Sequence, residues 1–327
     1  MELLEEGFAA VQQWLFETLM QPAMFSMGLG HLLEDGYAAS GWLLVGLLQI
    51  GILAAMIGPL QRWWPVEPLS DRATVRTDVL YTLVHRLGLF RVALFFLVDP
   101  WFDELFGMLR VAGLGTFHLD QLWPGVTDHA LVSLAIYLVV FDFADYWMHR
   151  AQHSWNWWWD LHSLHHSQRQ MTMWSDNRNH LLDDLLRDSL LVLLAQLIGV
   201  APGQFVAIVA ITQLSESLQH ANLRLWFGRL GERLWISPRF HRLHHSIGIG
   251  HESVQTAPLI GQGRSPALGG HNFGVLLPWW DMLFRTVNFE QRYDPTGVRD
   301  QVEQGRDYGC GFWAQQWLGL KRLFGRA

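Results

Sequence analysis

Residues 142–166 read DFADYWMHRAQHSWNWWWDLHSLHH. His149 and His153 are four apart, and His162, His165 and His166 follow as H-x-x-H-H. On a helix, residues three and four apart share one face, so each cluster can aim two or three imidazoles at one point. H-x-x-H-H recurs at His241, His244 and His245, and a looser group holds Glu216 and His220. Imidazole is the commonest metal-binding side chain near neutral pH and suits iron, zinc and copper. One histidine pair arises readily by chance; two copies of H-x-x-H-H beside an H-x-x-x-H do not. A zinc ion takes about four ligands, fewer than these clusters offer, so two metals per chain is the simpler count.

At these residues the chain resembles the fatty acid hydroxylase superfamily, also called the sterol desaturase family. H-x-x-x-H followed by two H-x-x-H-H motifs is its signature. The flanking residues agree: DFADYWMHR at the first cluster, HHS after the second, SPRFHRLHHS at the third and NFGVLLPWWDMLFRT beyond it. The resemblance runs from about Arg76 to Thr286 and is specific for the superfamily, not for a substrate. It implies an integral-membrane, non-haem di-iron enzyme that uses O2 to hydroxylate or desaturate a lipid. By that resemblance His149, His153, His162, His165, His166, His241, His244 and His245 hold two irons, with His220 a ninth ligand. Glu216 stands where some members have a further histidine, so a carboxylate ligand remains open there. His180, in RNHLLDD, matches a family position and is either a ligand or a supporting residue. Asn222, two residues after His220, and Asp142 are also read into the catalytic site. Asp142 and Asp145 lie two turns and one turn before His149. Either is placed to accept the second N–H of a metal-bound imidazole, with an ion pair to Arg150 or Arg178 as the alternative. Asp281 is read as structural.

Composition bounds the class. Half of the 327 residues are hydrophobic and the mean hydropathy is +0.12, which suits a membrane anchor carrying a polar catalytic part. The formal charge of −7 argues against a nucleic-acid partner. Cys310 is the single cysteine, so neither an intrachain disulfide nor a cysteine metal site is available. Many of the 18 tryptophans, including Trp155, Trp157, Trp158 and Trp159, suit a membrane interface or a packed core.

Residues 1–41 form an acidic segment without Lys or Arg, and no cationic stretch precedes an apolar one, so no secretory signal peptide is expected. Residues 42–148 read as the transmembrane region. Trp42 to Leu60 is uncharged and long enough to span roughly 28 Å as a helix. Val79 to Val98 reads as a further span or an interfacial helix, although it contains His85, Arg86 and Arg91. Ala130 to Trp147 delivers the chain to His149. Residues 149–286 read as the histidine-rich catalytic region, with a membrane hairpin over 185–219 broken at Ala201-Pro202-Gly203. A hairpin returns the chain to the side it left, which puts His220 and His241 to His245 beside His149 to His166. Arginines flank the clusters, which places the site on the cytoplasmic side and the N-terminus outside. Residues 287–327 read as a tail in which Phe312 to Phe324 is amphipathic and lies on the membrane or packs on the domain.

The expectation is thus an all-α integral-membrane helical bundle, with about four or five crossings and a cytoplasmic, histidine-rich di-metal cap. Its partners are a lipid substrate, the bilayer and a separate electron-transfer protein or reductase, because no flavin, haem or ferredoxin-like stretch is present. Breaking an unactivated C–H bond demands an oxidant that side chains do not supply, hence a redox metal and O2. A lipid desaturase on the same core, a membrane zinc hydrolase and a metal transporter are the competing readings.

Overall fold

A computed structural model describes residues 2–249 and 270–326, and all regular structure among them is helical. The loop between Ser246 and His271 falls mostly outside these residues. Glu2–Leu15 (α1) and Gln21–Ser26 (α2) lead into Leu33–Ile52 (α3), which continues through one π-type stretch into Gly58–Trp63 (α4). Then come Arg72–Arg86 (α5), Leu89–Leu97 (α6) and Asp99–Val111 (α7). The longest helix, Ala130–Ser154 (α8), is followed directly by Asn156–His166 (α9). Leu181–Ile198 (α10) and Pro202–His220 (α11) form the hairpin, and Gly228–Gly231 (α12) and Pro238–His244 (α13) follow. Trp279–Leu283 (α14), Arg299–Glu303 (α15) and Phe312–Leu323 (α16) complete the chain.

Among the described residues, two segments are long and apolar enough to cross a membrane, Gly30–Trp63 and Ala130–Ser154. The outward face of α8 exposes Leu131 and Val132, as a lipid-facing surface would. Its inward face is a helical stripe of Tyr137, Phe141, Asp142, Asp145, His149 and His153, all buried. Tyr137 and Phe141 pack with Ala195 of α10 and Ile208 of α11. The hairpin turns where Gly199 adopts φ 70° and Pro202 opens α11, the expected pairing of a glycine stop and a proline start.

Val79 to Val98 is not one helix. Gly88 adopts φ 79° and separates α5 from α6, because the left-handed conformation that closes α5 suits glycine and ends the helical run. Arg86, at that break, is buried. Its guanidinium donates to Asp176 Oδ2 at 2.8 Å, to Gln49 Oε1 at 3.1 Å and to Ser217 Oγ at 3.0 Å. The charge therefore faces the bundle interior and ties α3, α5 and α11 together.

The last helix packs through its less apolar side. Phe312, Gln315, Gln316, Gly319 and Arg322 of α16 are buried, and Trp313, Trp317 and Phe324 are exposed. It both docks on the domain, chiefly against α9, and presents aromatic rings outward.

Candidate metal centre

Two long helices and two short ones converge on one point. His149 and His153 come from the end of α8, His162, His165 and His166 from α9, His220 from the end of α11, and the last three from α13 and its C-terminus. All nine are buried. They fall into adjoining groups whose ligand atoms lie within 4.8 Å of one another: His149, His153, His162 and His166; His165, His220, His241 and His245; and a bridging set of His166, His244 and His245. The rings of His166 and His245 stack at 4.3 Å, which joins the first two groups into one cavity.

The ring orientations are fixed from outside. Nδ1–H of His149 donates to the Phe273 carbonyl at 2.8 Å, that of His244 to the His271 carbonyl at 2.8 Å and that of His220 to the Glu216 carbonyl at 2.8 Å. His162 Nδ1–H donates to Asp183 Oδ2 at 3.0 Å. Each such bond leaves the Nε2 lone pair facing the cavity, the usual arrangement of a metal-bound imidazole. Nε2 of His149 and of His162 are buried without a hydrogen-bond partner among the described residues. Three Nε2–Nε2 approaches of 3.1 Å connect His165 to His220, His220 to His241 and His241 to His245. That is the spacing of imidazole nitrogens bound about 2.1 Å from one ion at near right angles. The residues therefore fit a metal pair with all-histidine coordination.

Burial, reinforced by neighbouring imidazoles, drives His165, His166, His241 and His245 well below the ordinary histidine range. They stay neutral at physiological pH, as ligation requires. Asp183 is the reverse case. Burial opposes its ionisation, but bonds from His162, Gln152 and Trp158 outweigh it and hold the carboxyl below its usual range. Gln152 and Trp158 donate to its other oxygen at 2.7 and 2.6 Å.

The carbonyls of His271 and Phe273 are presented by a specific turn. Asn272 between them has φ 62°, a conformation asparagine tolerates better than most residues. Its side chain donates to the carbonyls of Phe240 and Asn288 at 3.1 and 3.0 Å. Asp281 accepts the N–H groups of Phe273 at 2.9 Å and Gly274 at 2.7 Å. Burial raises its pKa to about 6, against those hydrogen bonds.

Several expected residues stand elsewhere. Among the described residues Asp142 makes no hydrogen bond to a histidine. It accepts from the Leu276 N–H at 2.7 Å, the Leu277 N–H at 3.2 Å and the Trp280 indole at 2.9 Å, and so anchors the segment just after Phe273. Asp145, one turn from His149, pairs with Arg187 at 2.9 Å instead. His180 lies outside the histidine groups. Its Nδ1 caps α10 by accepting from Leu182 N–H at 3.1 Å, and its Nε2–H donates to the Gln316 carbonyl at 2.9 Å. Asn222 holds the 66–67 backbone, accepting from Val66 N–H at 2.9 Å and donating to the Glu67 carbonyl at 2.7 Å. The Glu216 carboxylate pairs with Arg187 at 3.4 Å and is not among the grouped ligand atoms. Reading the residues in sequence assigned no such role to Asp183, although an acid one turn beyond His180 in RNHLLDD is a usable signal. The two carbonyl acceptors carry no side-chain signal at all.

The sequence profile of the fatty acid hydroxylase family matches residues 134–286, which contain every residue of the cavity. Among curated proteins, ornithine lipid hydroxylase OlsE of Rhizobium tropici is 26% identical over 255 residues, 77% of this chain and 70% of that protein. Alkylglycerol monooxygenase of Caenorhabditis elegans is 26% identical over 157 residues, 47% of this chain but only 26% of that protein. No solved structure matches. The family's profile covers the whole histidine cavity, and with these two relatives it supports the resemblance of this chain to the fatty acid hydroxylase superfamily.

Proposed function

We propose that this protein is an O2-dependent membrane oxidoreductase that hydroxylates a C–H bond of a lipid at two iron ions. The observation that carries the reading is the single buried cavity of nine histidines, four of them with Nδ1 tied back so that Nε2 faces inward. Bound iron would supply the O2 activation that no side chain can. The chain contributes the rest. Neutral imidazoles bind the ions without having to release protons, and Asp183 with the two carbonyls orients the rings. Buried walls keep bulk water from the reacting carbon. The names of the two relatives, an ornithine lipid hydroxylase and an alkylglycerol monooxygenase, support a lipid substrate and insertion of oxygen. Electrons come from a separate protein or reductase.

The two apolar segments and the hairpin of α10 and α11 support a multi-pass topology, with the histidine cavity on the cytoplasmic side. A reconstituted assay under isotopically labelled O2 tests the reaction. A lipid product gaining one labelled oxygen is expected. A product that only loses two hydrogens would make this a desaturase, and turnover without O2 would exclude both.

A further inference from the structure

His149 is tied to a carboxylate it does not touch. Its Nδ1–H donates to the Phe273 carbonyl at 2.8 Å. That carbonyl belongs to the peptide group whose N–H is that of Gly274, and the Gly274 N–H donates to Asp281 Oδ2 at 2.7 Å. Carboxylate, peptide and imidazole thus form one continuous hydrogen-bonded chain. Resonance couples the two ends of a peptide group, so a negative charge at its N–H makes its carbonyl a stronger acceptor. Hydrogen bonds in such a chain polarise one another.

Asp281 is surrounded by donors. It is fully buried and accepts from the Phe273 N–H at 2.9 Å, the Gly274 N–H at 2.7 Å and the Thr286 hydroxyl at 2.6 Å. The Tyr146 hydroxyl, 3.0 Å from that of Thr286, supports the last of these. Burial raises the carboxyl's pKa only to about 6, so it carries its charge at neutral pH. Asp142 provides the contrast. It too accepts two main-chain N–H groups, those of Leu276 and Leu277. The carbonyls of those peptide groups, on Val275 and Leu276, accept from Gln219 and from the Ile236 N–H, not from an imidazole.

The two four-histidine groups differ in this support. In the group of His149, His153, His162 and His166, Asp183 backs His162 directly and Asp281 backs His149 through the peptide. In the group of His165, His220, His241 and His245, His220 Nδ1–H meets the Glu216 carbonyl. Nδ1 of the other three has no hydrogen-bond partner among the described residues. Asp176 acts on His220 through space, but its charge is paired with Arg86 at 2.8 Å.

We propose, resting on the two-metal reading above, that Asp281 is a positioning residue acting on His149 through the 273–274 peptide, and that the two metal positions are unequal in consequence. Carboxylate-backed imidazoles are the more basic ligands. The position at His149 and His162 therefore holds its ion more tightly, and it favours the oxidised ion more strongly than the position at His220 and His241 does.

Competitive chelation of the iron-loaded, full-length protein, followed by elemental analysis, tests this. The wild type is expected to release iron in two steps separated by about tenfold in chelator. His153→Ala removes the tighter step and His241→Ala the weaker one. In Asp281→Asn the tighter step alone weakens, by about tenfold, and the reduction potential of that iron rises. Asp142→Asn changes neither step. Release of both irons in one step by the wild type, or loss of the tighter step in His241→Ala, overturns the proposal and leaves the two-metal reading intact. Asp281→Asn weakening both steps alike, or neither, also overturns it. A merely structural loosening of the turn would free His244 as well, because its Nδ1–H leans on the His271 carbonyl. If Asp281→Asn does not fold, the wild-type pattern and the two histidine variants decide. One iron or fewer in the loaded wild type overturns both readings.

Discussion

Asp183 Oδ2 stands 3.0 Å from His162 Nδ1, and it is the one carboxylate among the described residues seen to hold an imidazole of the cavity. Its other oxygen is engaged by Gln152 and Trp158, so the carboxylate has no freedom to swing away. Asp183→Asn removes the charge and forces one of these donors to face an amide N–H. Metal affinity is expected to fall by about 10- to 100-fold, the usual effect of losing such a support. Asp142→Asn, whose oxygens serve backbone and Trp280, should cost about 1–3 kcal/mol of stability through an unsatisfied group and leave affinity near wild type. Iron titration of both variants decides this; the opposite order would show that Asp142 governs the site.

Arg86 and Asp176 form a buried ion pair. Arg86→Met leaves Asp176 without its cation in the interior. A loss of about 3–5 kcal/mol is expected, measured by denaturant unfolding in detergent. A loss under about 1 kcal/mol would place this pair with the weakly contributing surface kind.

The pH response of the metal-free protein follows from His165, His166, His241 and His245, all held well below the ordinary histidine range by burial. Above a pH of about 6.5, the unfolded value, folded and unfolded chains are both neutral at these positions and no stability depends on them. Below it the unfolded chain takes up protons that the fold refuses, so stability is lost as pH falls. Thermal unfolding of chelated protein is expected to shift steeply downward below pH about 6.5. A flat melting temperature from neutral pH into the acid range would contradict this.

Topology is tested by reporter fusions after Ser40 and after Ala327. The expected result is an outside N-terminus and an inside C-terminus, from the arginine distribution around the histidine clusters. Both ends on one side would require an even number of crossings.

The metal cavity was legible in the sequence because a helix converts spacing into a shared face: i, i+3 and i+4 histidines on α8, α9 and α13 had little choice but to converge. The hairpin was legible for a similarly local reason, since Pro202 starts a helix and Gly199 ends one. Apolar content misled at Val79 to Val98, where one residue, Gly88, breaks the run and hydropathy does not register it. Asp145 and Asp142 show a second limit. Helical proximity places them near His149, but a carboxylate goes to its strongest donors, and Arg187 and the Leu276 and Leu277 amides lie on distant parts of the chain. The acceptors of His149 and His244 are main-chain carbonyls, which any residue type could provide; only Asn272, suited to its positive φ, hints that a special turn presents them.

The central claim, two irons in one all-histidine cavity, is tested most directly by elemental analysis of anaerobically purified, fully active protein alongside His244→Ala. Two irons per chain are expected in the wild type, with metal content and activity falling together in the variant. One iron or fewer in fully active protein, or an inactive variant with full occupancy, would contradict it.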